Sequence, residues 1–133
     1  MRSPILVLLA LAVAASVATP PLAAHHSFSA EFDGDQPITL TGTVVQFEFM
    51  NPHSWIHMDV PDENGNLVRW KIETGSTNAL FRRGWRKDSL RAGDKITVNA
   101  FRAKDGSNIA NARTVNLPDG RQVSAASSKD GSR

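Results

Sequence analysis

Ile38-Thr39-Leu40-Thr41-Gly42-Thr43-Val44-Val45-Gln46-Phe47-Glu48-Phe49-Met50 is the stretch that decides the fold. Thr, Val and Phe at this density favour a strand. Ile38, Leu40, Gly42 and Val44 alternate in one phase, and Val45, Phe47 and Phe49 in the other. Strand side chains repeat every two residues, so a change of phase needs one extra residue. The pattern predicts one long strand, bent by a bulge near Val44–Val45. Asn51-Pro52 breaks it.

Downstream, Ser54 to Val60 forms a second strand, with Ile56, Met58 and Val60 on one side and Trp55, His57 and Asp59 on the other. Asn64-Gly65 marks the tip of a hairpin. Leu67 to Thr74 returns as strand three. Ser76 is a good helix N-cap and Gly84 a good stop, which places a short helix at about Ser76–Arg83. Strand four follows Gly93-Asp94 and runs from Lys95 to Arg102. Strand five spans Ile109 to Leu117, and a short strand at Arg121–Ser124 is an open addition. Residues 25–37 read as irregular, and the small, polar stretch 125–133 as a disordered tail.

Strands one to three, a helix, then strands four and five is the order of an OB-fold. The expected fold is therefore all-β: a five-stranded OB-fold-like barrel with one short helix between strands three and four. Closure also removes the open edges of a flat sheet. The expected core is Leu40, Val44, Phe47, Ile56, Met58, Val60, Val68, Trp70, Ile72, Leu80, Phe81, Leu90, Ile96, Val98, Ile109, Val115 and Leu117.

The first 24 residues are expected to lie outside this domain. Arg2 precedes an apolar run, Ile5 to Ala18, that is shorter than the ~20 residues needed to span a bilayer. Small residues at Leu22-Ala23-Ala24 follow. A basic start, a short apolar core and a small-residue cut site make a secretory signal peptide. Cleavage after Ala24 leaves a chain beginning His25-His26-Ser27-Phe28, and cleavage after Ala23 is the alternative. The expectations are a periplasmic or secreted domain over residues 25–124, with no membrane span after cleavage.

Four stretches carry a family resemblance. They are His25-His26-Ser27-Phe28, Asn51-Pro52-His53-Ser54-Trp55, Gly75-Ser76-Thr77-Asn78-Ala79-Leu80 leading to Arg82-Arg83-Gly84-Trp85, and Asp105-Gly106-Ser107-Asn108 with Ala110-Asn111-Ala112-Arg113. Together they resemble a family of small, secreted bacterial proteins classed as a domain of unknown function. The resemblance implies an exported single domain and carries over no activity.

The chain of 133 residues has a net charge of only +2, which, with export, argues against nucleic acid as partner. Lacking cysteine, it has no disulfide, thiolate metal site or cysteine nucleophile. Histidine is the commonest metal ligand, and all four histidines lie between residues 25 and 57. Once cleaved after Ala24, His25 offers an amine and a ring nitrogen to one ion. A further histidine completes a three-nitrogen site suited to Cu(II). His25, His26 and His53 are the candidate metal ligands, and copper the cofactor they suggest. His53 and His57 are roughly 13 Å apart on one strand at ~3.3 Å per residue, too far to share an ion. A built site would need residues 25–37 to fold back over the turn at Met50–Ser54, where Phe28 and Phe32 could hold them by packing on the barrel. The alternatives are a solvated terminus and a His53 that hydrogen-bonds a turn.

OB-folds bind ligands across strands two and three and the adjoining loops. There the candidates are Trp55, His57, Arg69 and Lys71, a stacking surface beside cations. Arg83 and Trp85, with Arg82, Arg86 and Lys87, form a second basic cluster that suits an anionic polymer or a solvated helix end. No hydrolase, metalloprotease or phosphate-loop motif is present. The leading expectation is a non-catalytic periplasmic binding or accessory domain for a small ligand, envelope polymer or envelope protein. The alternative is a copper-binding protein with its site at the mature N-terminus.

Overall fold

The computed structural model describes residues 28–127. The elements are α1 (Phe28–Glu31), β1 (Phe32–Glu48), β2 (Trp55–Pro61), β3 (Leu67–Glu73), α2 (Thr77–Arg82), β4 (Lys95–Ala103), β5 (Ile109–Asn116) and β6 (Gln122–Ser124). The sheet runs β3-β2-β1-β4-β5-β6, and a parallel pairing of β3 with β5 closes it into a ring. The other pairings are antiparallel. This closed all-β arrangement, with α2 between β3 and β4, is OB-fold-like. No helix among the described residues is long and apolar enough to cross a membrane.

The bulge falls where the change of phase requires it. Val44 pairs with Met58 and Gln46 with His57, which leaves Val45 as the extra residue. Val44 and Phe47 thereby both face the interior, although they are an odd number of residues apart. At this bend β1 passes from one partner to the other, since Thr43 pairs with both Lys95 of β4 and Asp59 of β2. Gly42 is needed here. A β-carbon on it would collide with the Asp59 carbonyl oxygen.

Ser76 caps α2 by accepting from the Ala79 N–H. The β2–β3 hairpin turns at Gly65, whose φ of +81° favours glycine. Asp62 Oδ1 accepts from the N–H groups of Asn64 and Asn66, which fixes the turn.

Four expectations need correction. First, the count of five strands rises to six, because the open addition at Arg121–Ser124 forms β6. The turn at Leu117–Gly120 doubles the chain back, and Val123 pairs with Val115. Second, the ordered domain continues past residue 124. Ala125, Ala126 and Ser127 are buried, with Ala125 N–H donating to the Arg113 carbonyl and the Ala125 carbonyl accepting from Gly75 N–H. Small side chains looked like tail composition, but they are what close packing on Gly75 permits. Residues 128–133 lie outside the described residues.

Third, residues 28–37 are not irregular. Phe28 and Phe32 pack with Phe101, at the β4 end of the barrel, and Phe32 pairs with Ala103. They anchor this segment at the opposite end of β1 from Met50–Ser54. Fourth, the core differs in detail. Phe81 is 55% exposed, while Trp85 is fully buried. Phe47, Val60 and Val68 are only partly buried, and Ile109 joins the Phe32–Phe101 cluster. A six-residue helix buries one side only, and Leu80 takes it. Phe81 turns outward beneath the Arg86 guanidinium, whose Cζ lies 4.0 Å from the ring centroid.

Candidate functional site

The outer face of β2 and β3 brings Trp55, His57, Arg69 and Lys71 together, as the alternation requires. Cross-strand register places His57 opposite Lys71 and Asp59 opposite Arg69. Each of these side chains already has a partner. His57 Nε2–H donates to Glu48 Oε2 at 2.8 Å. Arg69 grips Asp59 with two bonds, Nε to Oδ1 at 2.5 Å and Nη2 to Oδ2 at 3.3 Å. Lys71 Nζ lies 4.2 Å from the Trp55 ring centroid. The Arg69 guanidinium holds the Asp59 carboxyl below the usual aspartate range, and Asp59 in turn raises Arg69. His57 is tied to Glu48 and Arg69 to Asp59, while Lys71 keeps its charge over the Trp55 ring, and a ligand there has to compete with these contacts.

Trp85 cannot serve as a ligand surface, contrary to expectation. Its ring is fully buried, 5.6 Å from the Phe47 ring centroid, and its Nε1–H donates to the Ser124 carbonyl at 2.8 Å. Gly84, with φ of +90°, reverses the chain so that Trp85 turns inward. Arg83 stands exposed at the C-terminal end of α2, outside the β2–β3 ladder.

His53 leads into β2, half-buried, with Nδ1 3.6 Å from Glu73 Oε1. Glu73 is itself buried and accepts from Asn111 Nδ2 at 3.2 Å. Ser127 donates to Asn111 Oδ1. His53 thus heads a buried polar chain that ties β3 and β5 to the segment beyond β6. His25 and His26 lie outside the described residues. Among the described residues, no three His, Asp or Glu side chains converge as a metal cluster.

An opening in the barrel wall offers a different site. The β3–β5 pairing covers only Lys71, Ile72 and Glu73, so the first half of β3 has no partner on that side. A cleft of about 570 Å³ lies there, between the β2–β3 hairpin and the start of β5. Its apolar lining includes Leu40, Val60, Val68 and Trp70, and its polar part includes Asp62, Glu63, Arg102 and Asn108.

Arg102 is the residue that the sequence reading missed. Its guanidinium Cζ lies 5.5 Å from the Trp70 ring centroid, and Nη2–H donates to the Gly106 carbonyl at 3.0 Å. Its Nε is buried and has no hydrogen-bond partner among the described residues. A signal was available. Ile96, Val98 and Ala100 are buried alternate residues of β4, and Arg102 continues their phase with a cation. Chemically, the cleft joins an apolar wall to a fixed donor.

A model described as a family of unknown function (DUF6152) matches residues 11–112. No curated protein matches the chain.

Proposed function

The chain belongs to this family of unknown function, and we propose that it is an exported, non-catalytic binding domain that takes a small ligand into the cleft beside Trp70. One observation carries the reading. Side chains of interior phase, Leu40, Val60, Val68 and Trp70, line a cleft of about 570 Å³ where β3 lacks a partner. That volume lies within the roughly 300–1,000 Å³ of small-molecule sites, and the cleft sets an apolar wall beside polar groups that can orient a ligand. Its position suits an OB-fold-like domain, whose ligands meet strand three and the β4–β5 loop. The apolar run and small-residue cut site before His25 support export.

The test uses the neutral apolar fluorophore N-phenyl-1-naphthylamine, which brightens on leaving water. Saturable one-to-one binding is expected, and Val68→Trp, which fills the cleft, abolishes it. A fluorophore that does not bind, or binds equally well to the filled variant, overturns the reading. Mass analysis of exported protein should show a chain beginning at His25, and a start at Met1 overturns the export part.

A further inference from the structure

A buried guanidinium N–H without an acceptor is costly, because it has given up water and received nothing in return. Arg102 Nε is in this state at the cleft. The guanidinium is also held in place. The Trp70 ring lies against it, and Nη2 is tied to the Gly106 carbonyl in the β4–β5 turn. Nη2 keeps a second N–H, and whichever of the two the Gly106 carbonyl takes, the other stands beside an N–H of Nε or of Nη1, the side-by-side geometry that one carboxylate group matches with two parallel bonds.

From this we infer that the cleft binds a monocarboxylate with an apolar body, its carboxylate on Arg102 and its body against Leu40, Val60 and Val68. The inference rests on the binding role proposed above and specifies its ligand class. Two acids at the rim limit the charge of the ligand. Asp62 is occupied by the N–H groups of its own turn, but Glu63 is exposed and adds negative potential. One inward anionic group with an uncharged body fits this field, and a dianion such as phosphate does not.

Octanoate, octanol, octylamine and inorganic phosphate are the probes, each competing with N-phenyl-1-naphthylamine on the purified chain. Octanoate should displace the fluorophore at concentrations at least about tenfold lower than octanol, a difference of ~1.4 kcal/mol. Octylamine and phosphate should displace it poorly. Arg102→Gln should remove the preference for octanoate, read within that variant as the ratio of the concentrations at which octanoate and octanol displace the fluorophore. In the wild-type chain, the Arg102 Nε–H resonance should move on adding octanoate and stay on adding octanol, a readout that does not depend on the variant folding. Equal displacement by octanoate and octanol, an unchanged preference in Arg102→Gln, or an unmoved Nε–H resonance would overturn the ligand class. Fluorophore binding would still stand in each of those cases, whereas its absence in the wild-type chain defeats the binding role itself.

Discussion

Ala126 lies directly on Gly75, so close that a β-carbon built on Gly75 would sit 2.6 Å from that of Ala126 and 2.5 Å from its carbonyl oxygen. The end of β3 and the segment after β6 are locked by this contact and by Gly75 N–H donating to the Ala125 carbonyl. Ala126 adopts φ of +51° to make the fit, a left-handed conformation uncommon for alanine.

Gly75→Ala should therefore displace residues 125–127 and cost about 1–3 kcal/mol, the usual range for overpacking. Removing residues 125–133 should also destabilise the domain. The two changes should not add, because the second removes what the first collides with. Denaturant titration of the single and combined variants checks this, and full additivity contradicts the contact.

Trp85→Ala should cost about 3–5 kcal/mol, as expected for a large buried side chain. Trp85→Phe keeps most of the packing but loses the bond to the Ser124 carbonyl, at about 1–3 kcal/mol. Thermal melts test both. A Trp85→Ala variant that melts like the wild type would return this ring to the surface.

Acid should weaken the fold through four aspartates. Asp59 is held below the ordinary aspartate range by Arg69, Asp62 by the Asn66 N–H, Asp105 by Ser107 and Asp119 by the Arg121 N–H. Each has a lower pKa folded than unfolded, so the unfolded chain takes up more protons in acid. Their contribution is fully present above the ordinary value of about 3.9 and is lost as pH falls through the folded values. Asp62, Asp105 and Asp119 are exposed and Asp59 is only half-buried, so each contribution is small. The melting temperature should hold between pH 7 and 5 and fall below about pH 4. The drop should shrink in Asp59→Asn with Arg69→Gln. A melting temperature that rises between pH 5 and 3 would contradict the sign.

The features legible in the chain are those set within a few residues. Alternation marked β1 to β5, and the change of phase at Val44–Val45 marked the bulge, because strand side chains repeat every two residues. Asn64-Gly65 and Ser76 announced a turn and a cap through their own backbone preferences. The same alternation put Trp55, His57, Arg69 and Lys71 on one face. Only the tertiary structure decided that Glu48 engages His57 and Asp59 engages Arg69 on that face, since strand pairing brings each acid to its partner. It also decided that Trp85 goes in and Phe81 out, that Ala125–Ser127 cover Gly75, and that the wall parts beside Trp70 and Arg102. Each of these depends on contacts between segments far apart in the chain. Closure, burial and an unpartnered donor come from which segments meet, and a local repeat holds no record of the partner.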